Sequence, residues 1–150
     1  MTTVTKSIVI DAPREAIRPY MFESEQNRRW NPNTYLWEPD PAWPEPGATS
    51  RVGFKATGLN VEGVARSLEY DPVTIRHVFQ IEASSFEPST WVYTFDEDQG
   101  RTTVTMEVEY TVPGRFLGEV LDKLVVERGN ARLVEQSLAN LKALVEQELP

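Results

Sequence analysis

One apolar stripe limits what this chain can fold into more than any other feature. After Pro113-Gly114, Leu117, Leu124, Ala131, Leu138 and Val145 recur every seven residues, with Val120, Val134 and Leu141 joining three residues on. That spacing predicts a helix over 116–148, about 50 Å long at 1.5 Å per residue. No other stretch predicts a helix of comparable length, so the stripe has no helical partner within the chain and has to lie on a sheet. A strict seven-residue repeat drifts about 20° per heptad around a straight helix, which suits a helix wrapped along a twisted sheet. The stripe weakens midway, at Glu127-Arg128-Gly129-Asn130.

The residues upstream supply that sheet. Strand-like runs at 50–56, 61–70, 74–83, 89–95 and 101–112 are separated by turn signals at Gly58-Leu59-Asn60, Asp71-Pro72, Glu87-Pro88 and Asp96-Glu97-Asp98-Gln99-Gly100. Connections this short favour an antiparallel meander. Alternation is clearest in the last run, where Val104, Met106, Val108, Tyr110 and Val112 share a face. Trp91, Tyr93 and Phe95 share a face one strand earlier, and Ile75, His77, Phe79 and Ile81 before that. The 61–70 run has no evident inner side. Val64, Leu68 and Tyr70 accompany Glu62 and Arg66, while Val61, Gly63, Ala65 and Ser67 form a small-residue face.

At the other end, β-branched residues over 4–10 predict a first strand. Asp11-Ala12-Pro13 then starts a short helix over 13–22, with Asp11 as its cap and Pro19 as a kink. Ser24 caps a second short helix ending near Trp30. Residues 31–48 hold Pro32, Pro39, Pro41, Pro44 and Pro46, so no regular structure is expected there. Trp37 and Trp43 lie among them and require something to pack on, such as the rim of a cavity.

Composition narrows the function. A net charge of −8 disfavours nucleic acid and anionic membrane surfaces, both of which call for clustered Lys and Arg. No apolar run approaches the roughly 18 residues that cross a bilayer, and the N-terminus lacks the pattern of a signal peptide, so a cytoplasmic location is expected. With no cysteine and one histidine, neither a thiolate nor a multi-histidine metal site is available. No phosphate-binding or dinucleotide-binding glycine pattern occurs, and neither a metal nor another cofactor is expected. A small molecule or another protein is left as the partner; the oligomeric state is not legible.

The order of elements, with certain segments, resembles a known superfamily. Ser7-Ile8-Val9-Ile10-Asp11-Ala12-Pro13-Arg14-Glu15 is similar to its first strand and helix start, and Glu69-Tyr70-Asp71-Pro72 to its strand-end turn. Gly100-Arg101-Thr102-Thr103-Val104 is similar to the entry to its last strand. Ser137-Leu138-Ala139-Asn140-Leu141-Lys142-Ala143-Leu144-Val145-Glu146 resembles the closing helix of its bacterial members. The superfamily is SRPBCC, which includes START lipid-transfer domains, plant pollen-allergen-like proteins and bacterial polyketide cyclase/dehydrase-like proteins, the last being the nearest in kind. The resemblance implies one α+β helix-grip domain over 1–150. Its parts would be a curved antiparallel sheet of six to seven strands, two short helices near the N-terminus and a long C-terminal helix packed across the sheet. It also implies a hydrophobic ligand between helix and sheet.

Two residues are candidates for chemistry. His77 alternates with inward apolar positions; it is either a buried structural histidine or a polar group that orients a ligand or moves a proton. Glu127 interrupts the helix stripe beside Arg128 and is either solvated or a carboxylate raised in pKa by an apolar cavity. The candidate lining residues are Trp30, Phe54, His77, Phe79, Trp91, Tyr93, Met106, Val108, Tyr110, Leu117, Leu121, Leu124 and Arg128. These expectations describe a protein that binds a hydrophobic, ring-containing small molecule. Three readings stay open: a polyketide cyclase/aromatase-like enzyme working by confinement and proton transfer, a non-catalytic carrier or sensor of lipid or isoprenoid ligands, and an interaction module whose interior is filled by its own side chains.

Overall fold

In the computed structural model, which describes residues 1–56, 59–83, 86–111 and 123–149, the strand-like runs form one antiparallel sheet. Its elements are β1 (Thr2–Ile10), α1 (Arg14–Phe22), α2 (Ser24–Trp30), β2 (Thr34–Pro39), β3 (Thr49–Ala56), β4 (Leu59–Tyr70), β5 (His77–Ala83), β6 (Ser89–Asp98), β7 (Arg101–Tyr110) and α3 (Lys123–Glu148). The seven strands lie in the order β1-β7-β6-β5-β4-β3-β2. Strands β2 to β7 are thus a meander, and β1 returns from the start of the chain to pair with β7, Thr2 opposite Tyr110 and Ile10 opposite Thr102. The curved sheet, the two N-terminal helices and the long helix across the sheet make the helix-grip architecture.

α3 runs along β1. Thr2 donates its hydroxyl to Glu127 at 2.8 Å, and Lys6 pairs with Glu135 at 2.7 Å. Lys142 then donates to the Val9 carbonyl at 2.6 Å, and Glu146 accepts the Asp11 backbone N–H at 3.2 Å. From Glu127 to Glu146 the helix rises about 28 Å, and from Thr2 to Asp11 a strand covers about 30 Å. The two repeats match, so the contacts stay in step from end to end. Arg29 of α2 grips Glu148 through both carboxylate oxygens, at 2.9 and 3.0 Å, and fixes the far end of α3.

The C-terminal half of α3 buries the predicted stripe: Val134, Leu138, Leu141 and Val145 are all within the core. They meet Ile10, Ile17, Met21, Val104 and Met106, also wholly or almost wholly buried. The upstream half differs from the expectation. Leu124 is half-exposed and Arg128 is exposed, because the inward face of the helix turns before it reaches them. Leu117 and Leu121 lie outside the described residues.

Several local expectations are corrected. Residues 31–48 are not wholly irregular: β2 forms as the outer strand of the sheet, where Pro39 sits at its end and no neighbour needs the missing N–H. Strand β5 begins at His77, not Thr74. Ile75 has a φ of 65° and closes a turn in which its N–H reaches the Asp71 carbonyl at 2.8 Å. A β-branched residue strains such backbone, and the complete burial of Ile75 offsets it. Leu59 and Asn60 begin β4 instead of belonging to a turn. Neither Asp11 nor Ser24 caps a helix; the cap positions are Pro13 and Glu23, without side-chain bonds.

The orientation of β4 is settled by burial. Ala65 and Ser67 are buried, while Val64 and Leu68 are about 40% exposed on the convex side, at 42% and 40%. The small-residue face points inward. Gly63 belongs to it and faces Ala83, where a Cβ would come within 2.3 Å of the Glu82 carbonyl oxygen. Only glycine permits that approach.

Candidate functional site

The small inner face of β4 leaves room that larger side chains fill from elsewhere. Trp43, delivered by the proline-rich segment after β2, stands edge-on to His77 at 5.2 Å and to Phe79 at 5.8 Å between ring centroids. Trp37 of β2 meets Trp43 edge-on at 5.3 Å. Along the sheet, His77 stacks on Phe79 at 5.1 Å, and Phe79 on Trp91 of the next strand at 5.9 Å. Tyr93 meets Phe79 edge-on at 5.4 Å. These rings form a continuous aromatic floor.

Above part of that floor the helix does not close down, and a cavity of about 210 Å³ remains. Its floor comprises Val4, Val52, Phe54, Ile81, Trp91, Met106, Val108 and Tyr110, and its roof Val126, Asn130, Leu133, Val134 and Ser137 of α3. At 100° per residue these roof positions are centred about 70° round the helix from Leu138, Leu141 and Val145. On the same count Leu124 lies about 65° beyond the core-facing residues on the side away from the roof, and it does not reach the cavity. A smaller cavity of about 50 Å³ lies beside it and shares Asn31, Thr34, Val52, Ile81 and Trp91 with the larger one. It is walled by Trp37, Trp43, His77, Phe79 and Tyr93. We refer to it as the inner lobe.

The candidate residues separate accordingly. Phe54, Trp91, Met106, Val108 and Tyr110 line the larger cavity, and His77, Phe79, Trp91 and Tyr93 line the inner lobe. Trp30 lines neither. It is completely buried against the core, with its indole N–H donated to the Tyr20 carbonyl at 2.8 Å. Leu124, Glu127 and Arg128 are also not among the described lining residues. Glu127 turns toward β1, where it accepts the Thr2 hydroxyl.

The surface of the larger cavity is mostly apolar, though Asn31, Thr34, Ser89, Tyr110, Asn130 and Ser137 are among its described lining residues. Burial pushes His77 down to about 4, so its ring is neutral at pH 7. Burial raises the Tyr93 phenol well above its ordinary value. Tyr110 is also raised, by burial first and by the nearby Glu127 charge, while Asn130 opposes the shift. Two buried side-chain atoms among the described residues lack a partner at hydrogen-bonding geometry: the Tyr110 hydroxyl and the Trp37 indole nitrogen. Both residues line the cavities. Among the described residues, the charged ones that line the cavities are Lys55 and Glu87, both exposed and both in the larger cavity.

Asn130, Leu133 and Val126 escaped the sequence reading because they lie off the seven-residue stripe. Trp37 and Trp43 were visible as tryptophans needing a surface, but nothing local showed that they wall the inner lobe. The small face of β4 is the signal that bulky groups must arrive from another segment.

The fold and the largely apolar cavity define a START-like protein of the SRPBCC superfamily, a framework suited to binding a hydrophobic ligand. Within it, the chain belongs to the family described as polyketide cyclase / dehydrase and lipid transport, whose model matches residues 1–146. Solved structures agree on the fold. A protein from Thermus thermophilus is similar with a TM-score of 0.79 and 21% identity, over 99% of this chain and 100% of that one. The Zhui aromatase/cyclase from a Streptomyces species has a TM-score of 0.77 and 14% identity, over 99% and 96%. A START superfamily protein from Mycobacterium smegmatis has 0.76 and 15%, over 98% and 99%. No curated protein sequence matches the chain.

Proposed function

We propose that this protein binds a neutral, ring-containing molecule of about two fused rings between the sheet and α3, and acts by holding it. The observation that carries this reading is the cavity itself: about 210 Å³, floored by Phe54, Trp91 and Met106, with its charged lining residues exposed. An apolar cavity of roughly 150 Å³ accommodates a benzene ring, so this one has space for a second. Neither catalytic candidate favours proton transfer. His77 is held neutral in the aromatic floor, and Glu127 is engaged by Thr2 outside the described lining.

A cyclase-like reading rests on one further observation. Tyr110 and Asn130 both line the chamber, and polar side chains beside a confined, folded substrate are what proton movement needs. Native mass spectrometry of freshly purified protein tests the binding reading, with a co-purified small molecule expected. Titration with tetralin, naphthalene and 1-tetralone, followed by tryptophan fluorescence and thermal shift, supplies the second test. A complete lack of response to all three overturns it.

A further inference from the structure

The inner lobe is too small for a ring and adjoins a cavity with space for two. We infer that the ligand carries a short apolar arm of one to two carbons, an ethyl-sized substituent on its ring system, which enters the inner lobe while the rings stay in the larger cavity. The inference rests on the binding reading above and names the shape of ligand that the site takes.

Volume sets the division. The lobe measures about 50 Å³, about a third of the roughly 150 Å³ that accommodates a benzene ring, so it admits a short alkyl group and excludes the rings. Val52, Ile81 and Trp91 border both spaces, and a ring system seated against Trp91 is therefore next to the lobe as well. Val52 stands opposite Gly63, and Ile81 opposite Ala65. The strand between them, β4, thus contributes no bulky side chain to part the two spaces. The walls of the lobe favour carbon. Met21, Phe22, Trp43 and Phe79 are among them. Of the polar lining residues, Asn27 donates to the Met21 carbonyl at 3.3 Å, Asn31 to the Asn27 carbonyl at 3.0 Å, and His77 is bonded to Ser67 at 2.9 Å. None of the described lining residues is acidic or basic apart from the neutral His77. Alkyl carbons that leave water for such walls gain by burial, whereas a charged arm would have no counter-ion.

The test is a series of naphthalene, 1-ethylnaphthalene and 1-butylnaphthalene, with affinities measured by calorimetry. Each buried carbon is worth about fourfold, so the ethyl compound is expected to bind about tenfold more tightly than naphthalene. The butyl chain outgrows the lobe and is expected to lose that gain. Phe79 walls the inner lobe alone, and Phe79→Leu enlarges it. The variant is expected to move the preference from ethyl to butyl. Should it not fold, wild-type protein carrying nitrogen-labelled tryptophan supplies the readout. Trp43 lines only the inner lobe, and Trp30, which lines neither space, serves as the reference. The Trp43 indole resonance is expected to move further with 1-ethylnaphthalene than with naphthalene. Four results overturn the arm and leave the binding reading standing: no gain from naphthalene to ethyl, an affinity that climbs unbroken through butyl, a preference that Phe79→Leu does not shift, or a Trp43 resonance indifferent to the ethyl group. Binding of none of the three compounds overturns both.

Discussion

Ser67 and His77 fix one another's protons. The Ser67 hydroxyl lies 2.6 Å from the Pro44 carbonyl, which only accepts, so its single proton goes there. His77 Nε2, 2.9 Å from the same oxygen, must then be the donor. The ring is held as the Nε2–H tautomer, and the chain connecting β5, β4 and the proline-rich segment draws the Trp43 wall onto the floor.

Burial makes His77 a source of acid sensitivity. Its folded pKa of about 4 is below the ordinary 6.5, so the unfolded state binds the proton more readily. The contribution is whole above pH 6.5, declines as the pH falls from 6.5 toward 4, and is gone below that. It amounts to roughly 3 kcal/mol. Denaturant unfolding of the wild type and His77→Phe across that window checks it: the variant is expected to lose this part of the slope. Parallel curves would dismiss His77 as the cause.

Ser67→Ala leaves both the His77 N–H and the Pro44 carbonyl without their partner. A loss of 1–3 kcal/mol, of the order expected for an unsatisfied buried group, is predicted from chemical denaturation. Tetralin affinity per folded molecule is expected to be unchanged, which separates a supporting role from a binding one.

Tyr110→Phe removes a buried hydroxyl that has no partner at bonding geometry. The ligand-free protein is expected to gain about 1 kcal/mol, seen as a higher Tm. A lower Tm would mean that the contact with Asn130 is the stronger effect.

Glu127→Gln keeps the bond from Thr2 and removes the charge. Binding of tetralin and 1-tetralone is expected to be unaltered, with stability within about 0.5 kcal/mol. A marked fall in affinity would return Glu127 to the site.

The parts of the fold legible in sequence were those where one strand or helix face alone carries the pattern. β7 alternates Val104, Met106 and Val108 with Thr103, Thr105 and Glu107, and no neighbour is needed to read it. β4 could not be oriented because its inner side is small and its outer side holds Val64 and Leu68. What decides between them is Trp43, more than twenty residues upstream. β2 was hidden by the prolines around it, since their meaning depends on whether a strand lies at an edge. The aromatic floor was visible from alternation. The roof was not, because the seven-residue stripe follows the core-facing side of α3, whereas the cavity is read from positions turned about 70° away.

The ladder between β1 and α3 has a consequence for how the protein is made. β1 precedes the other described elements in the chain, yet its partner β7 pairs across at least 92 residues, Ile10 with Thr102, and α3 follows later still. Throughout most of synthesis, an apolar strand with Val4, Ile8 and Ile10 on one face has neither neighbour. Contacts so distant in sequence slow folding and prolong exposure of an unpaired edge. Until β7 and α3 are in place, that apolar face is the part of the fold most open to pairing with the wrong strand.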